Sequence, residues 1–309
     1  MTLELRPLSP ALQQKAIDEL NENPTRIAED LQMFREWILK QPHIRSRLDD
    51  QFLIAFLRGS KYSLEKAKKK LDGYYTMRTN FPELFESLID EQRARAILRM
   101  CLGAHLPLPL GEDGPRLVLM RPGHYNPDLA SLYELMRLDL LFQDLVMLED
   151  DHVVIGGYVH LIDFAGFSTK HALQFQPAKM RHLIYYMEEA LPIRTRSQHL
   201  FNTSSAFETI FGMMKPLLPG KVKERIMVHT SMESVYEKVP LKYFPKEYGG
   251  ENGSIEEIVA AGEETLMKYR EYLAEQKQYG TDEKLRPGQP INFDAIFGVD
   301  GTFRKLEVD

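Results

Sequence analysis

The residues best suited to proton transfer or metal ligation are nine histidines: His43, His105, His124, His152, His160, His171, His182, His199 and His229. They are scattered, without the short helical spacing that a zinc site uses. Each therefore reads as a surface or hydrogen-bonded histidine. Asp163 ends the apolar run YVHLID with no partner in a recognisable motif. Such a residue is expected to accept hydrogen bonds from backbone N–H groups of the following loop. There is no G-x-x-x-x-G-K-[ST] loop, no G-x-G-x-x-G after a strand, no G-x-S-x-G and no H-E-x-x-H. Phosphate-loop, dinucleotide, serine-hydrolase and metalloprotease chemistry thus lack their residues. The expectation is a protein that is not an enzyme, with no metal and no cofactor.

The remaining candidates are cations. Lys215, Lys221, Lys223 and Arg225 close or follow an apolar segment at residues 206–218, and Lys66, Lys68, Lys69 and Lys70 crowd another short stretch. A lysine run of that kind is either a solvated helix face or a contact for acidic lipid. Net charge is −6, so affinity for phosphate or an anionic surface must come from a local patch. The clusters lack interleaved aromatics, and no nucleic-acid partner is expected.

The segment beside these cations is the most unusual in the chain. Ala206, Phe207, Ile210, Phe211, Met213, Met214, Leu217 and Leu218 leave little of a helical circumference polar. A helix of that type is either enclosed in a core or a lid over an apolar cavity. It lies between short apolar runs at 198–202 and 225–229 that read as parallel strands. Two more strand candidates, 116–121 (RLVLMR) and 158–164 (YVHLIDF), alternate with helix candidates at 128–149 and 175–189. Strand–helix alternation implies a mainly parallel sheet with crossover helices.

Residues 1–90 read as helical. Pro10 opens one helix, and Asn23 with Pro24 reads as an N-cap and first helical position. Ile27, Leu31, Phe34, Trp37 and Ile38 form a helical stripe, residues 49–57 repeat the pattern, and Ser63 caps a further helix. Residues 254–277 read as a polar helix, and the tail beyond Gly280 as draped or mobile. The domain division expected is 1–95, 96–253 and 254–309. A lone cysteine, Cys101, allows no disulfide within the chain and fits a reducing compartment. Neither a signal peptide nor a membrane span nor a prenylation signal is read, so a cytoplasmic location with peripheral, reversible membrane contact is expected.

Several of these stretches carry a family resemblance. FLIAFLRGSKYSLEKAKKKLDGYYTMR resembles the helical N-terminal module of the CRAL-TRIO lipid-binding family. GGYVHLIDFAGFSTKHALQF, LPIRTRSQHLFN, MMKPLLPGKVKERIMVH and FPKEYGG resemble its lipid-binding domain, in the right order. The likeness spans roughly residues 10–275 and is strongest to the tocopherol- and retinal-carrier branch. The ending FGVDGTFRKLEVD is similar to that of arthropod members.

The resemblance implies an α/β fold: a helical module followed by a sheet-floored domain whose pocket holds one lipid beneath a mobile gate helix. It places Met136, Asp139, Gln143, Ile162, Phe167, Leu183, Tyr186, Met187, Leu191, Ile193, Phe207, Ile210, Phe211 and Met214 at that pocket. It places Lys69, Arg194, Arg196, Lys221 and Arg225 at a phosphoinositide head-group site. Ser60 stands where the tocopherol carrier has arginine, with Lys61 adjacent. Asp139 and Gln143 stand where that carrier has small hydroxyl side chains, so either these two point elsewhere or the ligand has a different polar end. The implied ligand is a retinoid, tocopherol, carotenoid or other isoprenoid, and the implied partner a phosphoinositide-containing membrane. A phosphoinositide-reading adaptor with a structural lipid is the other class that the same residues allow.

Overall fold

The computed structural model describes residues 5–85, 90–100, 103–289, 291 and 293. Cys101 and the FGVDGTFRKLEVD ending lie outside them. The helical N-terminal part comprises α1 (Pro10–Leu20), α2 (Ile27–Leu39), α3 (Asp50–Gly59), α4 (Leu64–Asn80), α5 (Pro82–Phe85) and α6 (Glu91–Met100). The middle of the chain supplies α7 (Leu132–Glu149), α8 (Thr169–Ala172), α9 (Pro177–Tyr185), α10 (Ser205–Met214), α11 (Gly220–Lys223) and α12 (Met232–Tyr236). Helices α13 (Ile255–Lys268) and α14 (Arg270–Glu275) follow. A five-stranded sheet runs in the order β2 (Gly103–His105), β3 (Arg116–Met120), β4 (Tyr158–Asp163), β5 (Thr195–Phe201), β6 (Ile226–Val228). Pairings β3–β4, β4–β5 and β5–β6 are parallel, and β2 is an antiparallel edge. The expected α/β architecture, with its helical module and mainly parallel sheet, is therefore present.

The apolar content of β4 has a simple cause, since both faces of a parallel sheet are covered. On one face Leu117, Leu119, Val159, Leu161 and Phe201 pack with Val235, Val239 and Phe244. On the other, Val118 and Tyr158 join Leu140 of α7 and the aromatic residues Phe52, Phe56, Tyr74 and Tyr75 of the N-terminal helices. Further along that face, Leu200 and Ile162 meet Phe207, Ile210 and Met214 of α10.

One core thus runs across the residue-95 boundary. Gly59 explains how close the helical module approaches: a Cβ there would lie 2.1 Å from the Pro192 carbonyl oxygen. Buried charges close the same seam. Arg58 donates to Glu22 (2.7 Å) and Asp151 (3.2 Å), while Arg78 donates to Asp144 (2.7 Å) and the Tyr186 hydroxyl (2.8 Å).

Several local readings need correction. Asn23, Pro24 and Thr25 form a turn in which the Asn23 side chain accepts from Thr25, and the helix starts at Ile27 with Arg26 at its cap. A turn serves here because the chain must swing from α1 into α2. Ser63 occupies an N-cap position without a side-chain cap bond. The helix expected from 128 begins at Leu132, where Ser131 accepts from Glu134 N–H. The 175–189 helix gives way after Tyr185 to a π-helical turn, Tyr186–Ala190. The 254–277 helix breaks at Tyr269. The described start of the tail, residues 280–289, is anchored rather than loose: β7 (Gly280–Thr281) pairs with β1 (Ile44–Arg45), and Arg286 makes two bonds to Asp72.

Removing one member of a buried ion-pair network strands the others. Arg58→Met should therefore destabilise the chain by about 3–5 kcal/mol, read as a lowered urea midpoint at unchanged slope.

Candidate lipid-binding site

The segment 206–218 is a ten-residue helix, α10, continued by the 3-10 turn Lys215–Leu217. Ser204 caps it by accepting from Phe207 N–H. The expectation of apolar surface all round is corrected by its outward face. Phe207, Ile210 and Met214 are buried, whereas Glu208, Thr209, Gly212 and Met213 are exposed. Met213 is 50% exposed, and Leu173, at the end of the α8 helix that packs on α10, is 80% exposed. The helix is therefore a single layer between solvent and the sheet.

Beneath it several apolar residues are only partly buried. Ile162 lies on the central strand yet remains only half-buried. Met120, Met180, Ile184, Met187, Phe211 and Ile226 are half-buried too. Apolar side chains in the middle of a sheet domain normally lose nearly all contact with water. These residues keep accessible surface where α9, α10 and the sheet meet.

The predicted pocket residues separate into three groups. Ile162, Phe167, Phe207, Ile210, Phe211 and Met214 come together around α10. Leu183, Tyr186, Leu191 and Ile193 join the large core shared with the N-terminal helices, with Met136 and Met187 packed at its margin. Tyr186 is fully buried and hydrogen-bonded to Arg78, so it serves the seam between modules. Asp139 and Gln143 are bonded to each other, Gln143 Nε2 donating to Asp139 Oδ2 at 3.0 Å. Asp139 lines a cavity of about 380 Å³ between α6, α7, α13 and β2, away from α10. Burial pushes its carboxyl up to about 6, against the opposing effect of the Gln143 bond.

The cations fall into two clusters, each held by acids that sequence reading did not single out. Arg196 and Arg194 reach Glu19 of α1 at 2.6 and 3.6 Å. Lys221 lies 2.7 Å from Glu189 and 3.4 Å from Glu188, and Arg225 lies 3.3 Å from Glu188. Lys70, absent from the predicted set, donates to the carbonyls of Glu188 (3.1 Å) and Leu191 (3.0 Å). Burial pulls its amino group down to about 8. Lys69 is exposed, and its charge acts on both Lys70 and Glu189. Ser60 is buried, while Lys61 is exposed with φ of 52°. The acids were legible only as a Glu-Glu pair within a basic stretch. Their role depends on the π turn that carries Glu188 to Lys221 and Arg225.

The expected state of Asp163 is present: it accepts from Ala165 N–H at 2.9 Å, and from Asn202 and Tyr248. His199 and His229 bond each other at 3.0 Å. His105 departs from expectation, since both its ring nitrogens are buried and without a hydrogen-bond partner.

Asp139 gives a pH test. Between its ordinary 3.8 and about 6 the folded chain keeps a proton that the unfolded chain has released. Its contribution is therefore present at low pH and lost as pH rises through 6. Asp139→Asn should remove that slope, so that the stability difference between the wild type and the variant changes by on the order of 2–3 kcal/mol from pH 4 to 7 in denaturant titrations.

Comparison with known proteins agrees with this architecture. A CRAL/TRIO domain model matches residues 109–250, and a Pinta-like UBA domain model matches residues 23–88. Alpha-tocopherol transfer protein-like from Homo sapiens is 30% identical over 265 residues, covering 82% of this chain and 75% of that protein. Clavesin-1 from Rattus norvegicus is 28% identical over 247 residues, covering 79% of this chain and 69% of that protein. Among solved structures, Sfh5 aligns with 88% of this chain and 100% of its own at 13% identity and a TM-score of 0.46. The chain belongs to the CRAL-TRIO lipid-binding family.

Proposed function

We propose that this protein is an intracellular carrier. It holds one hydrophobic molecule of the isoprenoid type between α10 and the sheet, and exchanges it at phosphoinositide-containing membranes. The observation that carries the reading is the half-buried apolar layer around Ile162, separated from solvent by one ten-residue helix. The carrier named among the relatives supports it. No bond is made or broken in this activity.

The same geometry supports a release step. Burying an isoprenoid of about 20 carbons stabilises the complex by roughly 0.8 kcal/mol per CH₂, so letting go is the harder half of transfer. The C-terminal end of α10 leads through Lys215–Leu217 into α11, and Lys221 and Arg225 there are tied to Glu188 and Glu189 on the π turn. A phosphomonoester carries about −1.5 to −2 charges and accepts hydrogen bonds more strongly than a carboxylate. It competes with Glu188 and Glu189 for these cations and loosens the foot of the lid. Met213 and Leu173, already outward, then enter the interface.

Replacing Arg194, Arg196, Lys221 and Arg225 together with alanine should slow transfer of a fluorescent isoprenoid between phosphoinositide vesicles at least ~10-fold, because each lost cation removes about 1 kcal/mol of surface attraction. Binding in free solution should be unchanged. Equal transfer rates for variant and wild type would reject the switch. For an adaptor with a structural lipid, vesicle binding would fall while wild-type transfer would already be negligible.

A further inference from the structure

We propose that the cavity between α6, α7, α13 and β2 is a second ligand site, for an apolar molecule ending in a neutral hydroxyl group. The cavity measures about 380 Å³, within the range of small-molecule pockets. Ile97 and Leu98 of α6, Leu135, Leu138 and Phe142 of α7, and Ile258 of α13 form its apolar wall. No residue of α10 lines it, and of the residues assigned to the lipid pocket only Asp139 does. It is thus a compartment separate from the space beneath the lid.

Its polar end is built and unsatisfied. His105 lines the wall, and neither Nδ1 nor Nε2 has a hydrogen-bond partner. Behind it stands Tyr158, 1% exposed, with ring centroids 5.5 Å apart and its hydroxyl also unpartnered. His160 continues the row 5.5 Å from Tyr158, with Nδ1 unpartnered. Beside them Asp139 accepts from Gln143, whose own Oε1 has no donor. Buried polar atoms in native proteins are normally paired, and those left over mark a position for a water or a ligand. Of these groups His105 and Asp139 line the cavity itself, opposite the apolar wall, and Tyr158, His160 and Gln143 are bonded to or in ring contact behind them rather than exposed in it.

The unmet groups select the head group. A neutral imidazole presents one N–H and one lone pair, and a hydroxyl both donates and accepts. An ammonium has no lone pair for the His105 N–H. A carboxylate would enter beside Asp139, Glu149 and Asp150, which line the same cavity. Arg116 is not available to offset them, because it already bonds Asp150 and the carbonyls of Leu106 and Pro107.

Gly262 of α13 provides a clean way to fill the space. A Cβ there would meet Leu98 and Phe142 at 3.8 Å, an ordinary contact, so a larger side chain extends into the cavity. Calorimetric titration of the full chain with 1-dodecanol should give two equivalents, and Gly262→Leu should give one. Ile210→Trp, which blocks the space under α10, should keep the equivalent that Gly262→Leu loses. His105→Phe should weaken that equivalent at least ~10-fold for dodecanol, and dodecanoate should bind there at least ~10-fold more weakly than the alcohol. Two equivalents retained in Gly262→Leu with dodecanol affinity unchanged in His105→Phe would overturn the proposal, as would equal affinity for dodecanoate. A single equivalent lost in Gly262→Leu but kept in Ile210→Trp would uphold this site and remove the one beneath α10.

Discussion

A parallel sheet must be covered on both faces, and this chain covers one end of one face with a single short helix. The face carrying Leu117, Val159, Leu161 and Phe201 is closed by Val235, Val239 and Phe244. The near end of the other face is closed by α7 and, behind it, by the aromatic side chains of the N-terminal module. Under α10, central residues such as Ile162 keep accessible surface. There Phe207, Ile210 and Met214 of α10 are the side chains that meet Leu200 and Ile162 of the sheet.

The rest of the molecule is built to keep still around it. Asp144 is buried and pairs with the partly buried Arg78; Arg58, Glu22 and Asp151 are all buried, and each pair bridges elements far apart in sequence. Buried ion pairs are weak evidence of net stability, but breaking one partner away is costly. They resist separation of the helical module from the sheet domain. Gly59 against Pro192 adds contact with no room to slide. Elements with fewer buried side chains include α10, with its exposed Gly212 and Met213.

The cations expected at a head-group site are not idle charges awaiting an anion. Each cluster already has carboxylates, Glu19 for Arg194 and Arg196, Glu188 and Glu189 for Lys221 and Arg225. Partly exposed pairs of this sort hold by little in water. A stronger acceptor displaces them, whereas a bystander anion gains little. Self-pairing therefore raises the threshold for any surface that is to engage them.

The amino-acid sequence by itself determined the order of strands and helices, because period and turn residues act over a few positions: 116–121 and 158–164 foreshadow β3 and β4 nearly to the residue. It also carried the family, through ordered stretches that resemble known ones. It did not reveal β2, whose three residues are too few to show a period, or the pairing of β1 with β7 from opposite ends of the chain. It listed the cations but not Glu188 and Glu189 as their partners, since a π turn decides where those carboxylates point. It showed that residues 206–218 were apolar, while only packing decided that Met213 faces out and Phe207 in. The same holds for His105, one histidine among nine until α6, α7 and α13 enclose it beside Asp139. Local pattern specifies which elements form, but cavities and charge pairs arise between elements, where only the assembled fold sets the distances.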